Sequence, residues 1–181
     1  MTGIPFTERE VTELRLGTMT RFSRPIPVYV DPSKGVINVF VDGKYVWKIT
    51  NAMGHDVIIQ CPYKVFTKYF VKETWRVRGG KEYEYQKHQP SVVYEETETP
   101  QDRFQQEWNT ALSMKFWASR FQLEIQAIYA IRLHNITSGQ AKEHGCYGLQ
   151  EFRDEWDCRY KGKGAEWKNN PFVWMNTFKV L

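Results

Sequence analysis

The sequence predicts an α+β chain built on a small, mostly antiparallel sheet or β-barrel, with short flanking helices and an inserted β-hairpin. Three observations lead there. Residues 117–134 read W-A-S-R-F-Q-L-E-I-Q-A-I-Y-A-I-R-L-H, where Phe121, Leu123 and Ile125 alternate with Gln122, Glu124 and Gln126. A period of two over that length marks a strand with one buried face. Asp42-Gly43 separates two alternating runs, V-I-N-V-F-V and K-Y-V-W-K-I-T, which is a strong hairpin signal. Thr7 with Glu10, and Thr137 with Gln140, are capping-box patterns that start short helices.

Taken in order, the first helix should cover residues 8–16, with Val11 and Leu14 inward and Gly17 closing it in a left-handed conformation. The next eight residues, T-M-T-R-F-S-R-P, read as a loop carrying three hydroxyls and two guanidinium groups. Such groups bind phosphate or a polar base edge, or they simply solvate the loop. Residues 25–32 should be extended, residues 36–50 a peripheral hairpin insertion, and residues 57–60 a further strand.

Residues 68–77, K-Y-F-V-K-E-T-W-R-V, read as one strand. Phe70, Lys72, Thr74 and Arg76 share one face; Val71, Glu73 and Trp75 share the other. A turn at 78–81 leads into the Tyr- and Glu-rich residues 82–107, expected to form a loop or a loose hairpin and to be the most mobile region of the chain. In the long strand the phase slips near Ala127 and Ile128, as a bulge or a barrel corner requires. Glu124, an acid in mid-strand, is either a solvated side chain or one wall of a polar cleft. A short helix should then begin after Thr137 and stop at Gly145, followed by a second helix over 149–160 with Phe152, Trp156 and Leu149 inward. Lys161-Gly162-Lys163-Gly164 is a basic turn, and Phe172, Trp174 and Phe178 belong to a terminal strand pairing within the barrel.

With 181 residues the chain reads as a single domain, 1–181, able to bury a substantial core. The net charge of +4 permits a polyanionic partner without demanding one, and the 15% aromatic share serves either a β-rich core or stacking platforms. Cys61, Cys146 and Cys158 have no C-x-x-C spacing, so free thiols in a reducing compartment are expected, with neither a metal site nor a cofactor. No apolar run has membrane-span length and the first residues lack a signal peptide's apolar core, which points to the cytoplasm.

Five stretches, in one order along almost the whole chain, carry a resemblance. They are C-P-Y followed by Y-F-V-K-E-T-W within 61–75, W-N-T-A-L-S-M-K-F-W-A-S-R-F-Q-L-E-I at 108–125, N-I-T-S-G-Q-A-K-E-H-G at 135–145, F-R-D-E-W-D at 152–157, and N-P-F-V-W-M-N-T-F-K at 170–179. Together they resemble the ASCH domain family of the PUA-like superfamily, in its phage- and prophage-associated branch. The resemblance implies a PUA-like β-barrel whose cleft against the flanking helices binds nucleic acid or a modified nucleobase. For a phage protein the compartment would be the host cytoplasm.

Some members of that family hydrolyse acetylated cytidine and others are ribonucleases. The amidohydrolases use a Lys, a Thr and a Glu. Glu124 matches the Glu and Thr20 the Thr, whereas the Lys position falls on Gly17 or Met19, neither of which can carry a proton. Lys72 would have to substitute from another place.

Three roles follow. As a binding module for RNA, single-stranded nucleic acid or a modified nucleoside, the chain would use Thr18, Thr20, Arg21, Arg24, Lys72, Glu73, Arg76, Ser119, Arg120 and Glu124, with Trp75, Phe116 or Trp117 stacking on a base. The competing reading makes Trp117 core and pairs Arg120 with Glu124 or Glu73. As an enzyme, Lys72 and Glu124 would form an acid–base pair beside Thr20, with His88 a distant alternative base. As an accessory protein, the chain would bind a host protein through residues 82–107 or the hairpin.

Overall fold

The computed structural model describes residues 1–26, 36–41, 44–50, 53–77, 92–98 and 107–181. Its strands are β1 (Gly3–Pro5), β2 (Arg21–Pro25), β3 (Val36–Val41), β4 (Lys44–Thr50), β5 (Asp56–Gln60), β6 (Lys68–Lys72), β7 (Trp75–Val77), β8 (Val92–Tyr94), β9 (Gln122–Arg132) and β10 (Phe172–Val180). The α-helices are α1 (Glu8–Arg15), α2 (Ser138–Glu143) and α3 (Leu149–Tyr160). The chain is therefore α+β.

Three sheets form among the described residues: β1-β6-β9-β10-β2, β3-β4-β5 and β7-β8. The first is mixed, because β1 runs parallel to β6 while β6–β9 and β10–β2 are antiparallel. The expected closed barrel is not found among the described residues. The five-stranded order ends at β1 and β2, and β3 to β5 pair only with one another among the described strands.

Local chemistry explains the helices. Thr7 Oγ1 accepts the Glu10 N–H at 3.2 Å, while the Thr7 N–H donates to a Glu10 carboxylate oxygen at 2.8 Å. Thr137 and Gln140 repeat this exchange at the start of α2, at 3.2 and 2.9 Å. Gly17 and Gly145, just past α1 and α2, take φ of +74° and +83°, which glycine adopts without strain. The hairpin pairs β3 with β4 from Val36↔Ile49 to Val41↔Lys44, and β4 pairs on to β5; the Asp42-Gly43 turn lies outside the described residues.

Three expectations change. The single strand over 68–77 is two strands, β6 and β7, interrupted at Glu73 and Thr74. The loop expected over 18–25 is largely strand β2, paired with β10 from Arg21↔Thr177 to Pro25↔Val173. Within residues 82–107, Val92–Tyr94 is β8, paired with β7. The rest of that region up to 106, apart from 95–98, lies outside the described residues, as do His88, residues 27–32 and the expected turn at 78–81.

Two compact units make up the chain: residues 1–18, 68–124 and 180–181 form unit 1, and residues 19–67 and 125–179 form unit 2. In unit 1, Trp75, Val77, Met114 and Ala118 make a small core, with Val92, Tyr94 and Trp117 against it. In unit 2, Leu133, Phe152, Trp156, Tyr160 and Val173 are among the residues that bury the inner faces of α3 and β10. Trp156 donates its indole N–H to the Ala165 carbonyl at 2.7 Å, so the ring is buried without an unmet donor. Along β9 the buried positions are Leu123, Ile125 and then Ile128, the slip in phase that the sequence places near Ala127. Among the described residues no helix is long and apolar enough to cross a membrane.

Candidate functional site

In unit 1, β1, β6 and β9 present one polar face. The register pairs Lys68 with Glu124 and Phe70 with Gln122, while Gly3 stands beside Phe70 and Pro5 beside Lys72. Lys68, Phe70 and Lys72 thus share a face with Gln122 and Glu124, and Tyr69, Val71 and Leu123 are buried on the other. At Gly3 any larger residue would force the Lys72 and Phe70 side chains to shift. A Cβ there would lie 2.4 Å from Lys72 Cε and 2.6 Å from Phe70 Cζ.

The segment before β9 covers this face. Phe116 meets the Phe70 ring edge-on at 5.6 Å between centroids and remains 47% exposed. Lys72 Nζ lies 5.7 Å from the Phe70 ring centre and donates to the Leu112 carbonyl at 2.9 Å. Leu112 and Lys115 are exposed in the same segment. The result is an open aromatic ring beside ammonium groups, with a half-buried carboxylate and amide on the same strands.

The expected acid–base pair is not formed. Lys72 lies four residues along β6 from the partner of Glu124, roughly 13 Å at the rise of a strand. Lys68, a cation with no distinguishing local pattern, stands directly opposite Glu124.

The other expected site residues of unit 1 are engaged in contacts within the chain. Trp75 is 2% exposed, meets Trp117 edge-on at 5.5 Å and donates its indole N–H to Ser113 Oγ at 3.3 Å; neither ring offers a free platform. Ser119 Oγ lies 2.7 and 2.9 Å from the Val71 and Phe121 carbonyls, which share its one hydroxyl proton. Arg120 Nη2 and Nε donate to Glu73 Oε2 and Oε1 at 2.7 and 3.0 Å, a two-pronged pair in which Glu73 is only 3% exposed. Glu73 projects inward because it continues the buried alternation of Tyr69 and Val71 across the break in the strand. The Arg120 guanidinium also lies 4.2 Å from the Tyr94 ring centre. Burial raises the Tyr94 phenol above its ordinary pKa and Glu73 adds to that, against the opposing pull of Arg120. Arg76 is likewise engaged, with Glu98 at 3.6 Å. Thr18, at the end of α1, donates its hydroxyl to Glu13.

Thr20, Arg21 and Arg24 belong to unit 2. Thr20 is exposed, but its backbone is held by Glu143 and Phe178 at 2.9 and 3.0 Å. Arg21 forms an ion pair with Glu143, and Arg24 donates to the Ser23 carbonyl at 2.9 Å and covers the Phe22 ring.

Beside them is an arrangement the sequence does not announce. Ser23 Oγ is 2.9 Å from His144 Nε2, and His144 Nδ1 is 2.7 Å from the Gln140 carbonyl. The carbonyl takes the Nδ1 proton, which leaves Nε2 to accept from the serine. This is the hydrogen bonding of an activated hydroxyl, but Ser23 is 4% and His144 9% exposed. The pair ties α2 to β2.

All three cysteines are free. Burial pushes the Cys61 thiol up to about 12. Among the described residues no three His, Cys, Asp or Glu side chains are grouped to hold a metal ion. Comparison with protein-family models, curated proteins and solved structures returns no match to this chain.

Proposed function

We propose that the chain is a nucleic-acid-binding protein of the ASCH, PUA-like kind, phage-associated, that takes single-stranded RNA or a modified nucleobase on the polar face of β1, β6 and β9. One observation carries the reading. Of the three rings considered as stacking platforms, Phe116 alone is exposed, and it stands with Lys72 on the Phe70 ring. A half-exposed phenyl ring accepts the face of any base, and neighbouring ammonium groups hold the phosphates. Glu124 supplies an acceptor for an exocyclic amine on the same strands. The order of the five family-like stretches supports the same reading.

Titrating short single-stranded oligonucleotides into wild type and Phe116→Ala tests it. Losing one base–aromatic stack costs about 1–3 kcal/mol, or roughly 5- to 150-fold in affinity. Lys72→Ala should also lower the salt slope by about 0.7 for each phosphate left without its ammonium partner. Equal affinity of Phe116→Ala and wild type refutes the assignment of this face.

A further inference from the structure

We propose that the base taken on the polar face of unit 1 is guanine, read along its base-pairing edge by Gln122 and Glu124. The inference deepens the nucleic-acid reading and rests on it. It adds which base is accepted and which two side chains decide.

The strand register places these two. Phe70 and Gln122 stand opposite each other in β6 and β9, yet their backbone groups turn apart: the Phe70 N–H goes to the Thr2 carbonyl and the Gln122 carbonyl to the Leu181 N–H. A cross-strand pair of this kind brings its side chains closest, with about 4.5 Å between Cα atoms. Gln122 therefore stands against Phe70, the ring on which Phe116 rests. Glu124 follows about 7 Å along the same face, opposite exposed Lys68. Among the described residues the half-buried Gln122 carboxamide makes no hydrogen bond, so both its N–H donors and its oxygen are open to a ligand. Glu124 has a contact of its own within the chain, but a carboxylate accepts about four hydrogen bonds and one contact does not exhaust it.

Complementarity then selects the base. Guanine presents side by side the O6 acceptor, the N1–H donor and the N2 amine. The amide of Gln122 donates to O6 while the carboxylate of Glu124, an acceptor only, takes N1–H and the amine in two charge-assisted bonds. Adenine and cytosine offer one amine and one ring-nitrogen acceptor, so the second carboxylate oxygen is left unmet. Uracil sets its O2 against that oxygen, acceptor against acceptor. Lys68, across from Glu124, and Lys115, next to Phe116, are exposed cations for the flanking phosphates.

The test titrates the full chain into labelled pentaribonucleotides U-U-X-U-U and follows fluorescence anisotropy, with X guanine, hypoxanthine, adenine, cytosine or uracil. Guanine should bind about tenfold or more tighter than adenine or cytosine, the worth of one hydrogen bond to a charged group, and uracil should bind weakest. Hypoxanthine is guanine without the N2 amine, so in wild type it should fall below guanine by the same factor. Glu124→Gln should erase the difference between guanine and hypoxanthine, because the amide turns an N–H towards a donor. Gln122→Ala should weaken both bases alike and preserve their ratio.

Should Glu124→Gln fail to fold, the comparison of guanine with hypoxanthine in wild type remains decisive, since only the ligand changes. Equal affinities for those two bases overturn the proposal. If Phe116→Ala nonetheless weakens every pentamer, the stacking face stands and only the choice of guanine falls. No binding of any pentamer removes both.

Discussion

Replacing Arg120 by alanine should be among the most destabilising single changes in unit 1. Glu73 is 3% exposed and accepts two hydrogen bonds from one guanidinium, whose side chain is itself 20% exposed. Removing one partner of a buried pair leaves an uncompensated charge, at a cost of about 3–5 kcal/mol. The partial exposure of Arg120 lets water reach the vacated space, so the lower end, about 3 kcal/mol, is expected. For a chain of this length that is a fall of roughly 6–12 °C in Tm. Thermal unfolding followed by circular dichroism measures it. Adding Glu73→Gln to Arg120→Ala should recover part of the loss, because the stranded charge is then gone. A fall of less than about 2 °C, with no recovery in the double variant, would show the pair to act like an exposed ion pair and refute the reasoning.

Two further outcomes are expected. Phe66 is 75% exposed and holds φ of +54°, a conformation bulky L-residues avoid at about 1–2 kcal/mol. Phe66→Gly relieves that strain and surrenders about 0.5–1 kcal/mol of chain entropy. Tm should therefore hold or rise, by up to about 6 °C, and a fall would mean the ring contributes packing that its exposure does not suggest. Cys61 keeps its proton in the folded chain up to about 12, against an ordinary 9.0. Its contribution to stability is complete below pH 9 and lost as the pH rises towards 12, since the unfolded chain ionises first. Cys61→Ala should flatten the decline of Tm over that window relative to wild type, and at pH 8 exposed Cys158 should react with a thiol reagent before Cys61 does.

The elements written in short-range chemistry are legible in the sequence. Both capping boxes, the β3–β4 strand pairing and the phase slip in β9 depend on residues a few positions apart, and each appears as expected. Sites assembled across long separations are not. Arg120 and Glu73 are 47 residues apart and Ser23 and His144 are 121 apart, so no local pattern joins them. The polar segment after α1 resembles a loop because its strand residues are Ser and Arg. Ser23 bonds to His144, Arg21 pairs with Glu143 and Arg24 turns back to the Ser23 carbonyl, which lets β2 lie against β10. Trp75 and Glu73 have the chemistry of cleft residues, although the alternation itself places them with Val71 on the buried side. Lys68 has no such signal, because only the cross-strand register reveals what faces Glu124.

The pairing of β2 with β10 has a bearing on how this chain matures. Ser23 meets Met175 across more than 150 positions, and unit 1 likewise draws on residues 180–181. Neither unit can finish while those late residues remain inside the ribosome exit tunnel. Early helices form promptly, yet β2 waits through the synthesis of more than a hundred further residues before its neighbour emerges, so synthesis at reduced temperature or with a holding chaperone should raise the recovered yield.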